Sequence, residues 1–192
     1  MTDAQIAAYY ARLLAEHGPS FRAGDYGSID SQKARLGALA ETILTEDASR
    51  AIPTVLDVGC GVGDFRAYVP TVKYTGWDFC VPIIDAARAK WPGVTFEAQD
   101  LLRSFAGGAA DYVLASGLFQ FRGLTYVKRA VTRMYSLAKS TVAFNVLTRT
   151  SEPQEITHDV LTIARWCKTL TPRMVVRTDY LPNDAMIILF KD

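Results

Sequence analysis

The sequence predicts an α/β fold of three layers, with helices on both faces of a seven-stranded, mostly parallel sheet whose last strand runs antiparallel. Three observations predict it. After Pro53, short apolar runs alternate with helical stretches, the pattern of a parallel sheet buried on both faces. A glycine-rich loop follows the first of those runs. Near the end the alternation breaks, and two strand-like runs flank the turn cluster Pro182-Asn183-Asp184. A hairpin cannot add two parallel strands, so the final strand runs against its neighbour.

The elements follow in order. Residues Asp3 to Glu16 place Ile6, Tyr9, Tyr10, Leu13 and Leu14 at helical spacing, and His17-Gly18-Pro19 stops the helix. Arg22 to Gly27 reads as a loop. Ser28 or Asp30 caps a second helix with the stripe Leu36, Leu39, Ala40, Ile43 and Leu44. The five runs of the alternating part are Thr54–Val58, Lys73–Trp77, Val94–Ala98, Tyr112–Ala115 and Thr141–Leu147. Between them helices are expected at Asp64–Val69, Val81–Lys90, a short piece near Leu102–Phe105, and Tyr126–Leu137. Asp159–Leu170 reads as the last helix, and Met174–Thr178 with Ala185–Phe190 as the hairpin.

Composition narrows the function. A chain of 192 residues with 49% apolar and 21% charged residues fits one compact domain, with residues 1–50 as a helical cap and 51–192 as the core. The net charge is +1 and no Lys/Arg run stands out, which disfavours a nucleic acid as main partner. No segment has the ~18 uncharged apolar residues that span a bilayer, and no signal peptide is visible. Cys60, Cys80 and Cys167 form no C-x-x-C pair, so neither a disulfide framework nor a metal site is expected. Reduced thiols in the cytoplasm are the simple reading.

The densest information lies in Val55-Leu56-Asp57-Val58-Gly59-Cys60-Gly61-Val62-Gly63. Such a strand–loop–helix turn needs positive φ or close backbone approach, which glycine permits. A ligand can then lie against main-chain N–H groups. Asp57 sits in the strand end, where a carboxylate is costly to bury unless it meets a cation or hydrogen-bond donors. A ligand ammonium would serve. Asp78 ends the second run, about 20 residues past the loop, a place suited to ribose hydroxyls. It also suits the cap of the helix after it. Asp100, after the third run, suits an exocyclic amine or a simple turn, and Leu101 could present its N–H to a ring nitrogen. Ser116-Gly117 ends the fourth run. Ligands bind at such carboxyl ends.

With these residues in view, positions 54 to 121 resemble the cofactor-binding half of Rossmann-like, S-adenosylmethionine (SAM)-dependent methyltransferases of class I. The resemblance implies the strand order 3-2-1-4-5-7-6. It implies that Asp57, Gly59, Gly61 and Gly63 cradle the methionine end, with Cys60 filling the loop. Asp78 and the adjacent Phe79 would take the ribose side, Asp100 and Leu101 the adenine, and Ser116 and Gly117 the methionine moiety. His17-Gly18, Tyr26, Ser31-Gln32-x-x-Arg35, Ala143 to Leu147, Leu170-Thr171-Pro172 and Asp179-Tyr180 extend a likeness to small bacterial methyltransferases. It departs at Ile156-Thr157-His158 and at Leu181 to Asp184.

Other candidates have two readings each. Arg35 pairs with the SAM carboxylate, or with Glu41 or Asp30 on a solvated face. Gln32 shares that ambiguity. Tyr9, Tyr10 and Tyr26 lid the cofactor or pack as core. Phe119 and Phe121 wall an acceptor pocket or simply pack. Gln120, Arg122 and Asn145 are candidates to orient an acceptor. His158 is a candidate base or a surface helix cap, and His17 a helix-end residue. The expected activity is methyl transfer from SAM to a small molecule or small peptide. There is no Asn/Asp-Pro-Pro-Tyr/Phe and no Pro-Cys pair, the motifs the resemblance associates with DNA-base acceptors. Two alternatives stand beside it: a SAM-binding protein without turnover, and, less favoured by the loop spacing, a nicotinamide-dependent oxidoreductase.

Overall fold

The computed structural model describes residues 1–44, 52–104 and 109–191. The expected boundary between residues 50 and 51 and the expected helical residue Phe105 lie outside them, as does the side chain of Leu44. Helix α1 spans Asp3–His17. A capping box starts it: Thr2 Oγ1 accepts from Gln5 N–H, while Gln5 Oε1 accepts from Thr2 N–H at 2.8 Å. Gly18 at φ 61° ends it. A 3₁₀ turn at Phe21–Gly24 occupies part of the expected loop. Helix α2 spans Ile29–Leu44. Of its two candidate caps the chain uses Ser28, whose Oγ accepts from Ser31 N–H at 3.0 Å.

The strands are β1 (Thr54–Val58), β2 (Lys73–Asp78), β3 (Thr95–Ala98), β4 (Ala110–Ala115), β5 (Ala138–Leu147), β6 (Met174–Arg177) and β7 (Asp184–Phe190). They form one sheet of order β3-β2-β1-β4-β5-β7-β6. All neighbours among β1 to β5 run parallel. Strand β7 runs antiparallel to both β5 and β6, the outcome that a terminal hairpin forces. The remaining helices are α3 (Val81–Lys90), α4 (Leu124–Leu137) and α5 (Val160–Cys167).

Strand side chains alternate between two cores. Leu56, Val113, Phe144 and Ile187 pack with α4 and α5 on one face. Val55, Leu114, Ala143 and Ile188 pack with α2 and α3 on the other. On α4, the residues Val127, Ala130, Val131, Met134 and Leu137 recur at helical spacing, and all are buried. Burying a Val, Leu or Met side chain contributes about 1.5–3 kcal/mol, so this one stripe anchors the layer.

Three helical elements are shorter than the sequence predicts. Asp64–Tyr68 is a 3₁₀ turn instead of an α-helix. Residues after Asp100 form a turn, with the N–H groups of Arg103 and Ser104 both donating to Asp100 O. Helix α5 stops at Cys167, where Leu170 and Thr171 fold back to donate to the Cys167 carbonyl.

The sheet order reverses direction between β1 and β4, which lie side by side. At such a point the loops leaving neighbouring strands diverge and open a crevice outside the carboxyl ends. The fold thereby places the glycine loop, Asp78, Asp100 and Ser116 around one opening.

Candidate functional site

A cavity of about 1130 Å³, its open mouth included, lies at that crevice. The carboxyl ends of β1, β2, β3 and β4 form its floor. Ile6 and Tyr10 of α1, with Ala23 and Tyr26 beyond, close it from above.

The glycine loop is locked to β2 before it reaches the cavity. Gly59 N–H (2.7 Å) and Cys60 N–H (3.0 Å) both donate to the Trp77 carbonyl. Gly59, Gly61 and Gly63 all have positive φ, at 71°, 54° and 78°. Their surroundings differ. A Cβ on Gly61 would meet no atom within 4 Å, so its open side belongs to the cavity. A Cβ on Gly59 would lie 2.9 Å from Leu118 Cδ1, and one on Gly63 would lie 2.6 Å from Phe96 Cζ. Gly63 is therefore a packing glycine. It does not line the cavity, which corrects its expected place in the cradle. Cys60 is buried and lines the cavity, and burial pushes its thiol well up.

Two acids dominate the electrostatics. Asp57 is 3% exposed and accepts from Tyr74 O–H at 2.6 Å. Burial raises its carboxyl to about 7, against the lowering effect of that hydrogen bond. Asp78 accepts from Gly61 N–H (3.3 Å) and Cys80 N–H (2.9 Å). Enclosure by protein raises it to about 6, and these backbone donors restrain the rise. Both acids line the cavity, as do Phe79, Asp100 and Leu101. Asp100 Oδ1 accepts from Leu102 N–H at 2.9 Å, and Arg103 lies 3.3 Å from its other oxygen. Its turn-capping role is thus real and coexists with a place on the cavity wall.

The wall opposite the glycine loop is Ser116, Gly117 and Leu118. Ser116 Oγ and Tyr26 Oη lie 3.2 Å apart. Gly117, at φ 69°, donates its N–H to Asn145 Oδ1 at 2.9 Å. Asn145 Nδ2 donates to both oxygens of Asp184, at 2.8 and 2.9 Å. Asp184 also accepts from Arg35 Nε at 2.8 Å and from Tyr180 O–H.

Several expectations are corrected here. Arg35 meets neither the cavity nor a solvated partner: its ion pair is with the fully buried Asp184 side chain. Gln32 is buried and donates to Asp64 at 2.6 Å, without lining the cavity itself. Asn145 lies behind the wall instead of in it. Gln120 turns its amide to Tyr10 O–H (2.8 Å) and Asp25 (3.2 Å), outside the lining. His158 is buried, not a surface cap, and its ring approaches the Phe119 carbonyl at 3.4 Å; the cap of α5 is Asp159. Phe119 is core, while Phe121 lines the cavity and packs on Tyr9 and Tyr10. Arg122 does line it, stacked 4.3 Å from the Tyr126 ring centroid and paired with Asp3 at 2.7 Å. Of the three tyrosines, Tyr10 and Tyr26 line the cavity. Tyr9 instead donates to Asp25 at 2.8 Å. Sequence reasoning missed Asp3, Asp64 and Asp184. Asp184 carried one usable signal, an acid beside an apolar run, but the turn cluster around it masked that.

Comparison with known proteins agrees with this geometry. Residues 55–141 match the methyltransferase-domain family, from inside β1 to inside β5. No curated protein sequence matches the chain. Among solved structures it is similar to magnesium protoporphyrin IX methyltransferase from Synechocystis PCC 6803 with bound SAM, at 15% identity and a TM-score of 0.74, covering 100% of this chain and 99% of that one. The DhpI–SAM–HEP complex is 15% identical with a TM-score of 0.70, covering 97% and 95%. An O-methyltransferase family protein from Burkholderia thailandensis is 21% identical with a TM-score of 0.62, covering 88% and 59%. Identities this low speak for the fold, and the family match speaks for the domain. Residues 55–141 match a methyltransferase domain, and the chain shares the Rossmann-like fold of these SAM-dependent methyltransferase structures.

Proposed function

We propose that the chain holds SAM in this cavity and methylates a small-molecule or small-peptide acceptor, working as one domain in which the N-terminal helices cap the core. One observation carries the reading most directly: Gly61 turns an unobstructed backbone face into a cavity that Asp57 and Asp78 also line. The residues fit the group. Among the described residues, Asp57 is buried with one hydrogen-bond donor, Tyr74, on a carboxylate that can accept several. A ligand ammonium would supply the charge partner that burial denies it. Asp78 would take ribose hydroxyls, Asp100 and Leu101 the adenine edge, and Ser116 with Gly117 the methionine side.

SAM, when bound, supplies a methyl group already activated on a sulfonium. The chain's task is then to orient the acceptor and to exclude water. Tyr10, Tyr26 and Phe121 build the apolar part of the lining, and Arg122 the cationic part. Burial pushes Tyr26 up to about 12, so at neutral pH it stays protonated and acts as a hydrogen-bonding group, not a base. His158 lies outside the lining. These features favour an acceptor that needs positioning more than deprotonation.

The test is calorimetric titration of SAM, of its demethylated product S-adenosylhomocysteine (SAH) and of NADH into wild type and Asp78→Ala. Micromolar binding of SAM and SAH, weakened at least about ten-fold in the variant, is expected; a hydrogen bond to a charged group is worth about 1.5–3 kcal/mol. NADH binding in place of SAM would overturn the assignment.

A further inference from the structure

We infer that Asn145 is a positioning residue: gripped by the buried Asp184, it holds the Gly117 N–H and so fixes the wall that Ser116, Gly117 and Leu118 present to the cavity. Neither Asn145, Asp184 nor Arg35 lines the cavity, so none of them touches a ligand there. What they control is the shape of the loop that does.

The chain of contacts is directional. A carboxylate only accepts hydrogen bonds. Asp184 therefore draws the amide nitrogen of Asn145 towards itself, and the amide oxygen is left facing Gly117. The orientation of the side chain is set by chemistry, not by space. Gly117 sits in the left-handed region, where the strand turns away, and its N–H finds its partner in that one oxygen. Next to it, Leu118 closes on the position a Gly59 Cβ would take, 2.9 Å away. A displaced Gly117 would carry Leu118 with it and change the gap between the two cavity loops.

The grip itself is costly to build, which argues that it is used. The Asp184 side chain is fully buried, and Arg35 is its charge partner with only 13% exposure. Such a buried pair is weak evidence for stability, because desolvation offsets most of the attraction. It is a strong orienting device, because both partners are held in place. Tyr180 O–H completes the set on Asp184, and its proton is held more tightly through burial and that acid. The Arg35 guanidinium also lies 5.8 Å from the centre of the Tyr26 ring, whose hydroxyl meets Ser116. Side chains of α2, β5 and β7 that stand outside the cavity thus converge on one three-residue wall.

This inference uses the proposed function only for its binding readout, so two readouts are paired. Asn145→Leu removes the amide at similar volume. Arg35→Met with Asp184→Asn removes the buried pair together, leaving no lone charge. Amide hydrogen exchange of residues 116–118 is measured in the free proteins, and SAH affinity by calorimetry, below the melting transition of each variant. The expected result is Gly117 exchange at least about ten-fold faster in Asn145→Leu, with SAH bound at least about ten-fold more weakly. The paired variant should show smaller changes in the same direction, since the amide oxygen introduced by Asp184→Asn can still accept from Asn145. A folded Asn145→Leu with wild-type exchange and SAH affinity within two-fold would overturn the inference, whatever its melting temperature. If Asn145→Leu does not fold, Asn145→Ala, which also removes the amide oxygen that Gly117 N–H donates to, takes its place, and wild-type values of both readouts in it would overturn the inference. If wild type binds neither SAM nor SAH, the cofactor assignment fails and the exchange rates alone decide the role of Asn145.

Discussion

The two walls of the cavity are built in opposite ways. The glycine-loop wall is written in neighbouring residues: Gly59 and Cys60 are tied to β2 by backbone hydrogen bonds, and Gly61 reaches Asp78 only 17 positions away. The facing wall at Ser116 and Gly117 is held by side chains from afar. Tyr26 is 90 positions from Ser116, Asn145 is 28 from Gly117, and Arg35 is 149 from its partner Asp184. A wall made of backbone has a fixed residue type, glycine, at fixed spacing. A wall made of remote side chains has no spacing rule. The first is constrained at Gly59 and Gly63 by the side chains of Leu118 and Phe96; the second depends on remote side chains that close one network.

The sharpest break of that comparison comes from within the glycine loop, because its three glycines serve two ends. Gly63→Ala puts a Cβ into the Phe96 ring at positive φ. Overpacking and backbone strain together should cost about 2–4 kcal/mol in urea unfolding. SAH affinity of the folded protein should stay within a few-fold. Gly61→Ala, with open space around its Cβ, should cost only about 1 kcal/mol of stability but weaken SAH binding at least ten-fold. If the two variants behave alike, the separation of packing glycine from ligand glycine is wrong.

That separation also marks how far the sequence could be read. The alternation of apolar runs with helices located every strand, and the turn at Pro182-Asn183-Asp184 gave the antiparallel β7. Asp57, Asp78 and the loop were legible because local spacing alone places them. Arg35 and Asn145 were noticed for their chemistry, yet their partner was not, since nothing near either residue points to position 184. A charged residue on a helix reads as exposed until the fold brings an acid against it. Gly63 failed for a related reason: the Phe96 ring that excludes a side chain there comes from another strand.

The two acids of the glycine-loop wall sharpen the comparison through pH. Asp57 rises to about 7 and Asp78 to about 6, both from an ordinary 3.8. The folded protein therefore binds more protons than the unfolded chain between these limits. Stability from these groups is complete below about pH 4, falls as pH rises towards 7, and is level above that. Each pH unit across the Asp57 shift is worth about 1.4 kcal/mol, so the ligand-free protein should lose about 2 kcal/mol between about pH 5 and pH 7. Asp78 adds less, because its backbone donors restrain its rise. Asp57→Asn should flatten most of that slope in denaturant titrations. Bound SAH, with its ammonium, favours the ionised acids, so its affinity should rise over the same interval. A wild-type slope equal to that of Asp57→Asn would show that Tyr74 and the cavity water already hold Asp57 ionised.

The smallest effect belongs to Tyr26, which joins the N-terminal cap to Ser116 of the far wall. Tyr26→Phe deletes the 3.2 Å contact with Ser116 but keeps the ring that lines the cavity and faces Arg35. Ser116 itself borders the cavity, so water can replace the lost hydroxyl, and the net cost should be about 0.5–1 kcal/mol. SAH affinity should change by less than about five-fold. Gly117 keeps its hold on Asn145 in this variant, so its amide exchange should stay at the wild-type rate. A larger loss of affinity with unchanged exchange would place the Tyr26 hydroxyl on the ligand itself. Faster exchange would mean that the cap, and not only the Asn145–Asp184 grip, carries the wall.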